Sequence, residues 1–372
     1  MKSFKKFLAI TAAILLPFIL TSCEEDNPTP DNTPSDEKFE YFTPNSPQPK
    51  GDRLFGINIT KDKNGFFSAF ERTDELPIEI VEINIPWDSI EVSEEVYVNP
   101  LGNVLTAIDY YASKNVKVSI SLAVLNTVGR TTPDYLDGLP MNDPKVIAAF
   151  NKLSDWVMNT VPSSVDVPGF SIGNEVDLVL EGTEWDEYIE FYEATSTHFK
   201  TNHPNIKVGS KATVMEGVLG SKLAKVKELN QYSDVVMLTY YPQEGDFRVL
   251  DPGFVTKHFL SISGAFTDKP IWLMEVGYQS GEDYCGSSEE LQAEFYHNLF
   301  KAWDTNKDKI EVINVNWSHD QSAEQIEEFK AYYGLSSPAF IEYLSTLGIS
   351  NYDGSSKFAF GQIAEETEAR AW

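Results

Sequence analysis

The sequence is poor in cysteine, in histidine and in clusters of basic residues. Cys23 and Cys285 are its two cysteines, so at most one disulfide could form within a chain. Five histidines leave little material for a metal centre, and we expect neither a metal nor any other cofactor. The net charge is -28 and no basic run occurs, which makes nucleic acids and anionic lipid head groups poor partners.

Long apolar runs are also missing, apart from one near the N-terminus. Three lysines precede the apolar run 7–20, which is short for a membrane-spanning helix. Together with the small residues that follow, this order is typical of an export signal over residues 1–22. The ending Leu-Thr-Ser-Cys23 resembles a bacterial lipobox, which implies that Cys23 is lipidated and becomes the mature N-terminus. A plain signal peptide and an uncleaved anchor helix are the alternatives.

Residues 23–50 lack any apolar period. They are rich in Pro, Asp, Asn, Ser and Thr, so we predict a disordered, acidic tether. The triplet at 24–26 resembles the signal that sends some lipoproteins of Gram-negative bacteria to the cell surface. We therefore expect a lipoprotein of the outer membrane or cell surface, held to the membrane by its lipid alone. An ordinary solvated tail, compatible with the periplasmic face, is the alternative.

From residue 51 to residue 372, β-rich runs alternate with helical patterns. Apolar residues at three- and four-residue spacing mark the helices, and no internal repeat or second core appears. Mostly continuous apolar runs indicate parallel strands covered by helices. The predicted strands are 55–59, 78–85, 116–124, 167–173, 206–212, 235–239, 271–274 and 312–316.

Eight such strands predict an α/β fold, a single (β/α)8 barrel over residues 51–372. An open, doubly wound sheet is the alternative. That fold often carries a glycine-rich phosphate turn after its first strand, where this chain has Asn58-Ile-Thr-Lys61. The barrel is therefore the favoured architecture.

Two of the predicted strands end on a glutamate. The run 168–177 turns abruptly polar at Asn174 and Glu175, and the run 269–278 does so at Glu275. In a (β/α)8 barrel the active site lies at the C-terminal strand ends, so these carboxylates should share one mouth. The remaining strand ends carry amides, aromatics and one lysine, namely Asn58, Trp87, Asn126, Lys211, Tyr240 and Trp317.

Paired carboxyl groups across a pocket suit cleavage of a glycosidic bond. One protonates the leaving oxygen, and the other attacks the anomeric carbon or activates water. Aromatic rings suit the apolar faces of sugars and amides suit the hydroxyl groups, so Asn58 and Trp87 are candidate substrate contacts. The structural alternatives are a helix-terminal carboxylate for Glu175 and a salt-bridge residue for Glu275.

This arrangement looks like the clan A retaining glycoside hydrolases, which carry an Asn-Glu pair at the end of strand four and a lone Glu at the end of strand seven. The resemblance implies that Glu175 is the acid/base and Glu275 the nucleophile. It also implies that Asn174 binds the sugar 2-hydroxyl, that Tyr240 holds the nucleophile, and that Trp317 forms the floor of the sugar subsite.

Further features of this clan are only partly matched. The resemblance implies a cis peptide between Trp317 and Ser318. Many members place an Arg at the end of strand two and a His near strand three, where this chain has 83–86 and 122–125, so no individual family is assignable. We predict a monomeric retaining hydrolase of polysaccharides or oligosaccharides. A transglycosylase and a non-catalytic glycan-binding surface lipoprotein on the same barrel are the alternatives.

Overall fold

A computed structural model of the protein describes residues 39–372. The predicted export signal, Cys23 and the first part of the predicted tether lie outside the described residues. The strands are β1 (Leu54–Ile57), β2 (Ile80–Pro86), β3 (Glu91–Ser93), β4 (Val96–Tyr97), β5 (Lys117–Asn126), β6 (Gly129–Arg130), β7 (Gly169–Asn174), β8 (Lys207–Gly209), β9 (Lys211–Thr213), β10 (Val236–Tyr240), β11 (Ile271–Val276) and β12 (Ile310–Val315). The α-helices are α1 (Phe66–Thr73), α2 (Pro100–Ala107), α3 (Asp109–Ser113), α4 (Pro144–Thr160), α5 (Val176–Val179), α6 (Glu184–Asn202), α7 (Leu223–Leu229), α8 (Phe254–Ala265), α9 (Glu289–Thr305), α10 (Ala323–Tyr333), α11 (Pro338–Thr346) and α12 (Phe358–Ala369).

The predicted (β/α)8 barrel is confirmed. Strands β1, β2, β5 and β7 pair in parallel in chain order, and so do β9, β10, β11 and β12. Strand β1 pairs with β12, and β8 pairs with β7, so β8 and β9 form one barrel position interrupted at Ser210. Parallel neighbours need a helical crossover between them, which explains the alternation along the chain. The open-sheet alternative is therefore wrong.

The end of the barrel at which the strands begin is filled with side chains. Strands of a barrel alternate inward and outward residues, and the inward apolar ones interlock into a plug. A methyl group at Gly169 would overlap the ring of Trp272, so the absence of a side chain there makes room for the indole. The plug consists of Ile80, Val235, Met237, Trp272, Met274 and Val312. This end of the interior is thus packed with apolar side chains, and the indole nitrogen of Trp272 donates to Glu311, which pairs with Lys207.

The long helices differ in how they begin. The side chain of Ser288 caps α9, because it accepts a hydrogen bond from the Leu291 amide. Thr183 occupies the N-cap position of α6 but makes no side-chain cap. Helix α1 and the β3–β4 hairpin were not predicted, because both are short segments between longer periodic runs.

The end of the predicted tether is ordered against the barrel. Phe39 stacks on Phe358 of α12 with ring centroids 4.3 Å apart. The Phe42 amide donates to the side-chain oxygen of Gln362 at 2.8 Å. The prediction of a disordered segment is therefore wrong for residues 39–50. Isolated aromatic anchors leave no periodic signal in a sequence, which is why this docking was missed.

The C-terminal ends of the strands are covered by helices α10 and α11, here called the cap hairpin (residues 323–346). The Tyr332 hydroxyl donates to the backbone oxygen of Asn126 at 3.1 Å. On the other side, the Glu342 carboxylate accepts backbone hydrogen bonds from Asp283, Tyr284 and Cys285. The hairpin is therefore attached to loops on two sides of the mouth. No helix within residues 39–372 is long and apolar enough to cross a membrane.

Candidate active site

Glu175 follows the last residue of β7 in a left-handed backbone conformation, with φ 48° and ψ 44°. A non-glycine residue in this region is strained, and such strain is concentrated at functional sites. Its carboxylate accepts hydrogen bonds from the hydroxyl groups of Thr127 at 2.7 Å and Thr239 at 2.8 Å. The residue is 9% exposed. Glu175 is thus fixed from both sides and nearly removed from water.

Burial and the nearby charge of Glu275 raise the pKa of Glu175 to about 7. The two threonine hydrogen bonds oppose this shift but do not cancel it. A carboxyl group that titrates near neutral pH can hold a proton and release it in the same range. The surroundings of Glu175 therefore suit a general acid and base.

Glu275 lies on β11, where the pairing register with both neighbouring strands shifts. Irregular pairing of this kind redirects a side chain and often occurs beside active sites. Its Oε1 accepts a hydrogen bond from the Lys211 ammonium at 2.9 Å. Its Oε2 accepts hydrogen bonds from the Tyr241 hydroxyl at 2.9 Å and from the Asn316 amide at 3.3 Å. An ammonium and two further donors therefore hold both oxygens of this carboxylate.

Lys211 is completely buried and bridges two carboxylates. Besides Glu275, its ammonium contacts Glu82 of β2, whose side chain is 1% exposed. Burial lowers the pKa of Lys211, but the charges of Glu275 and Glu82 outweigh it and hold the pKa above its ordinary value. The lysine is therefore a permanent cation inside the barrel. The described part of the chain has no group of three or more His, Cys, Asp or Glu arranged to hold a metal ion.

A chain of amides borders the two glutamates. The side-chain nitrogens of Asn174 and Asn84 both donate to the side-chain oxygen of Asn126, at 2.8 and 3.3 Å. Within residues 39–372, the side-chain oxygens of Asn174 and Asn84 are buried and have no hydrogen-bond partner. An amide oxygen can accept from a hydroxyl group. These two acceptors are therefore suited to hold sugar hydroxyls beside the carboxylates.

Tyr240 does not contact Glu275, contrary to the expectation from sequence. Its hydroxyl lies 2.9 Å from Nδ1 of His258 on helix α8, outside the barrel. The next residue, Tyr241, makes the contact with Glu275. Successive side chains of a strand point to opposite faces, and Thr239 already points inward at Glu175. Tyr240 must then face outward, and Tyr241 faces the site.

Of two other predicted substrate contacts, Trp87 is not at the mouth, and the role of Asn58 stays a prediction. Trp87 is fully buried, and its indole nitrogen donates to Glu91 at 2.7 Å. The side chain of Asn58 donates to that of Asn316 at 3.0 Å and accepts from the backbone amide of Glu82 at 2.8 Å. Trp87 is therefore a core residue that a strand-end position alone could not distinguish from a binding residue. Asn58 supports residues around Glu275 from within the barrel.

Trp317 is half-buried below the cap hairpin. Its indole stacks on the ring of Phe329 in α10, with centroids 5.6 Å apart and planes inclined by 22°. The cis peptide links Asn316 to Trp317, so the expected position between Trp317 and Ser318 is wrong by one bond. The role of Trp317 as the floor of a sugar subsite stays a prediction.

The cap hairpin covers the two glutamates. The rings of Tyr241 and Tyr343 are in edge contact, with centroids 6.2 Å apart. Burial raises the pKa values of Tyr333 and Tyr343, and the charges of Glu175 and Glu275 add to both shifts. The side chain of Glu275 is 15% exposed. The two glutamates are therefore largely covered, with tyrosines of the cap hairpin nearby.

Sequence reasoning missed the residues that contact the glutamates, namely Thr127, Thr239, Tyr241 and Asn316, and also Glu82, which is linked to Glu275 through Lys211. Two signals could have identified some of them. Glu82 is a charged residue inside the apolar run of β2, where a cost in desolvation requires a partner. Thr239 and Tyr241 share the inward register of β10. The other contacts depend on loop geometry and have no local signature.

Comparisons with known proteins find similarity in fold. The structure resembles an exo-β-1,4-mannosidase from Opitutaceae bacterium strain TAV5, with 15% identity and a TM-score of 0.67, over 88% of this chain and 61% of that one. It also resembles the GH5_18 enzyme of Streptomyces cattleya bound to Manβ1-4GlcNAc, with 14% identity and a TM-score of 0.65, over 86% of this chain and 81% of that one. A family 39 glycoside hydrolase from Bacteroides cellulosilyticus WH2 gives 13% identity and a TM-score of 0.59, over 87% of this chain and 65% of that one.

No protein-family model and no curated protein matches the chain by sequence. It spans about three fifths of the length of the mannosidase. Identities of this size show a shared fold and do not transfer an activity. The chain has the (β/α)8 barrel that these glycoside hydrolases use.

Proposed function

We propose that this protein is a retaining glycoside hydrolase in which Glu175 is the acid/base and Glu275 is the nucleophile. The observation that supports the proposal is the contrast between the two surroundings. Glu275 receives an ammonium and two further donors, whereas Glu175 receives only two hydroxyl groups and has a pKa of about 7. A pair of neighbouring carboxyls whose environments differ in this way is suited to divided acid and nucleophile roles.

In the first step, an oxygen of Glu275 attacks the anomeric carbon as the bond to the leaving oxygen breaks. The proton of Glu175 goes to that oxygen, which leaves as an alcohol. In the second step, the Glu175 carboxylate takes a proton from water, and the water oxygen displaces Glu275 from the anomeric carbon. Two inversions give a product with retained configuration and restore both carboxyl groups to their starting states.

The substrate is proposed to be a β-linked oligosaccharide or the end of a polysaccharide. The buried acceptors of Asn174 and Asn84 provide places for sugar hydroxyls, and the cap hairpin leaves limited room above the glutamates. One fold neighbour is described as an exo-β-1,4-mannosidase, and another is bound to Manβ1-4GlcNAc. β-Mannosides are therefore the first substrates to test.

The experiment is a panel of aryl glycosides and oligosaccharides, headed by β-mannosides, with proton NMR of the first anomer released. Hydrolysis with retention in the wild type, abolished in Glu275→Gln, is the expected result. Inversion would contradict the proposed roles. Tyr240→Phe is a suitable control, since that hydroxyl lies outside the barrel.

A non-catalytic glycan-binding protein is the second candidate. The cover over the glutamates favours it, because a binding protein needs no rapid exchange of substrate and product. Glycan binding by the wild type, equal binding by Glu175→Gln and no turnover on the whole panel would support this alternative. Measurable turnover that depends on Glu175 would exclude it.

We also propose that the protein is exported and anchored through a lipid on Cys23. The order of lysines, apolar run and Leu-Thr-Ser-Cys supports this proposal. Metabolic labelling with a fatty-acid analogue should label the wild-type protein and not Cys23→Ser. Cell-surface proteolysis of the labelled protein would then distinguish the outer surface from the periplasmic face.

A further inference from the structure

A third buried carboxylate lies beside the two glutamates and has no part in the reaction described above. Glu82 stands on the inward face of β2, and its Oε2 accepts a hydrogen bond from the Lys211 ammonium. The same ammonium donates to Oε1 of Glu275 at 2.9 Å. One cation is therefore shared between the proposed nucleophile and a carboxylate that lies deeper in the barrel.

The contacts around Glu275 restrict both of its oxygens. Lys211 holds Oε1, whereas Tyr241 and Asn316 hold Oε2. Removing Lys211 would leave Oε1 without this partner and would allow the carboxylate to rotate. Glu82 in turn restrains the ammonium from the opposite side, because a buried lysine stem alone leaves several rotamers open.

The charges of the three groups also have a consequence for reactivity. An ammonium that faced Glu275 alone would neutralise the carboxylate that has to attack. Shared between two carboxylates, it leaves one net negative charge on the trio. Burial raises the pKa of Glu82 to about 7, with Lys211 opposing and the charges of Glu275 and Glu175 adding to the shift. Glu82 therefore carries its charge only towards the alkaline side of neutral pH.

We propose that Lys211 is the positioning cation of the nucleophile and that Glu82 holds it in place and shares its charge. This inference rests on the proposed function, since it assigns Glu275 the attacking role. The simpler explanation is that Lys211 only compensates the buried charge of Glu82 and contributes to folding. The two explanations differ in what happens when both members of the pair are removed together.

The deciding variant is Glu82→Gln with Lys211→Met. It removes the cation and its deeper partner at once, so no uncompensated charge of this pair remains buried. If Lys211 positions Glu275, kcat on the best aryl glycoside should fall about 100-fold, the size of loss that a misplaced reacting group causes. KM should change little, because neither residue is placed at the sugar. If Lys211 is only structural, the double variant should retain wild-type kcat, which would overturn the proposal.

A matched control is provided by a second buried pair, Asp320 and Lys357, joined at 2.7 Å. Their side chains are 7% and 2% exposed, and neither contacts Glu175 or Glu275. Asp320→Asn with Lys357→Met should lower the melting temperature and leave kcat unchanged. An equal loss of kcat in this control would mean that removing any buried ion pair lowers kcat, and the proposal would fail.

The single variant Glu82→Gln tests whether Glu82 shares the charge of Lys211. It also keeps the proposal testable if the double variant does not fold. The charged groups facing Lys211 are Glu82 and Glu275, with Glu175 at longer range and the Tyr241 hydroxyl on the other oxygen of Glu275. Glutamine resembles protonated Glu82, so the maximum of kcat near pH 7 should be lower than in the wild type. The wild-type decline in kcat that accompanies protonation of Glu82 below pH 7 should disappear. An unchanged kcat and pH profile would contradict the proposal.

Failure of this inference can be told apart from failure of the proposed function. No turnover of any glycoside by the folded wild-type protein would reject both. Turnover by the wild type that is lost in Glu275→Gln, together with full activity in the double variant, would reject only the positioning role of Lys211.

Discussion

The Tyr241 hydroxyl donates a hydrogen bond to Oε2 of Glu275 at 2.9 Å, across the gap between β10 and β11. The adjacent Tyr240 points in the opposite direction, to His258. Two neighbouring tyrosines thus have separate environments because strand side chains alternate. This pair gives a sharp test of the proposed nucleophile.

Tyr241→Phe should lower kcat roughly 10- to 100-fold, since a hydrogen bond to a charged group contributes about 1.5–3 kcal/mol. Tyr240→Phe is the matched control and should leave kcat at the wild-type value. Steady-state kinetics on an aryl glycoside measures both. A larger loss in the Tyr240 variant would show that the wrong tyrosine has been assigned to the site.

The barrel could be predicted from sequence because its strands are buried on both faces and form continuous apolar runs. Strand β11 illustrates the reason: Ile271, Leu273 and Met274 are all buried, and Glu275 interrupts the run at the mouth. A carboxylate at the end of such a run is visible without any structure. Hence the positions of both glutamates could be predicted.

What could not be predicted is the choice between adjacent residues and the pairing of distant ones. The assignment of Tyr240 depended on the strand end, which the sequence locates only to within a residue or two. Lys211 was a strand-end residue of unassigned role, and its partner Glu82 lies 129 positions earlier in the chain. Such long-range pairs have no signature in one sequence. The position of the cap hairpin over the strand ends has no such signature either.

Activity should fall as the pH rises through about 7. Glu175 must be protonated to donate to the leaving oxygen, and burial together with the charge of Glu275 raises its pKa to about 7. The alkaline limb of kcat should therefore lie near neutral pH. It should be absent from the residual activity of Glu175→Gln on substrates whose leaving group needs no proton. If kcat of that variant still declined near neutral pH, a group other than Glu175 would be responsible for the decline.

Glu175→Gln should also change stability with a defined sign. The pKa of Glu175 is higher in the folded state than in the unfolded chain, so folding binds protons between about pH 4.5 and 7. The free energy of unfolding therefore decreases as the pH rises through this window. Because glutamine does not titrate, the variant lacks this loss. It should be more stable than the wild type at pH 8, by on the order of 1–3 kcal/mol.

At pH 4.5 the wild type and Glu175→Gln should differ much less. Chemical denaturation at the two pH values provides the comparison. Loss of the Glu175 charge also reduces the upward shift of the Glu82 pKa, which changes the stability at pH 8 in the same direction. A variant that loses stability more at pH 8 than at pH 4.5 would contradict the assigned shift.

Loosening the cap hairpin should favour large substrates. Tyr332→Phe removes the hydrogen bond to the Asn126 backbone, which contributes about 0.5–1.5 kcal/mol. Easier opening should increase kcat/KM for polysaccharides more than for aryl glycosides, and hydrogen exchange of residues 323–346 should accelerate. Equal changes for both substrate classes would show that the hairpin does not limit access.

The central claim, that Glu275 is the nucleophile, is tested most directly by trapping the glycosyl-enzyme. The best substrate of the panel is converted to its 2-deoxy-2-fluoro analogue with a good leaving group, and the protein is analysed by peptide mass spectrometry. The account predicts one covalent sugar on the peptide containing Glu275, and none in Glu275→Gln. A sugar on Glu175, or turnover by the wild type without any covalent adduct, would contradict it.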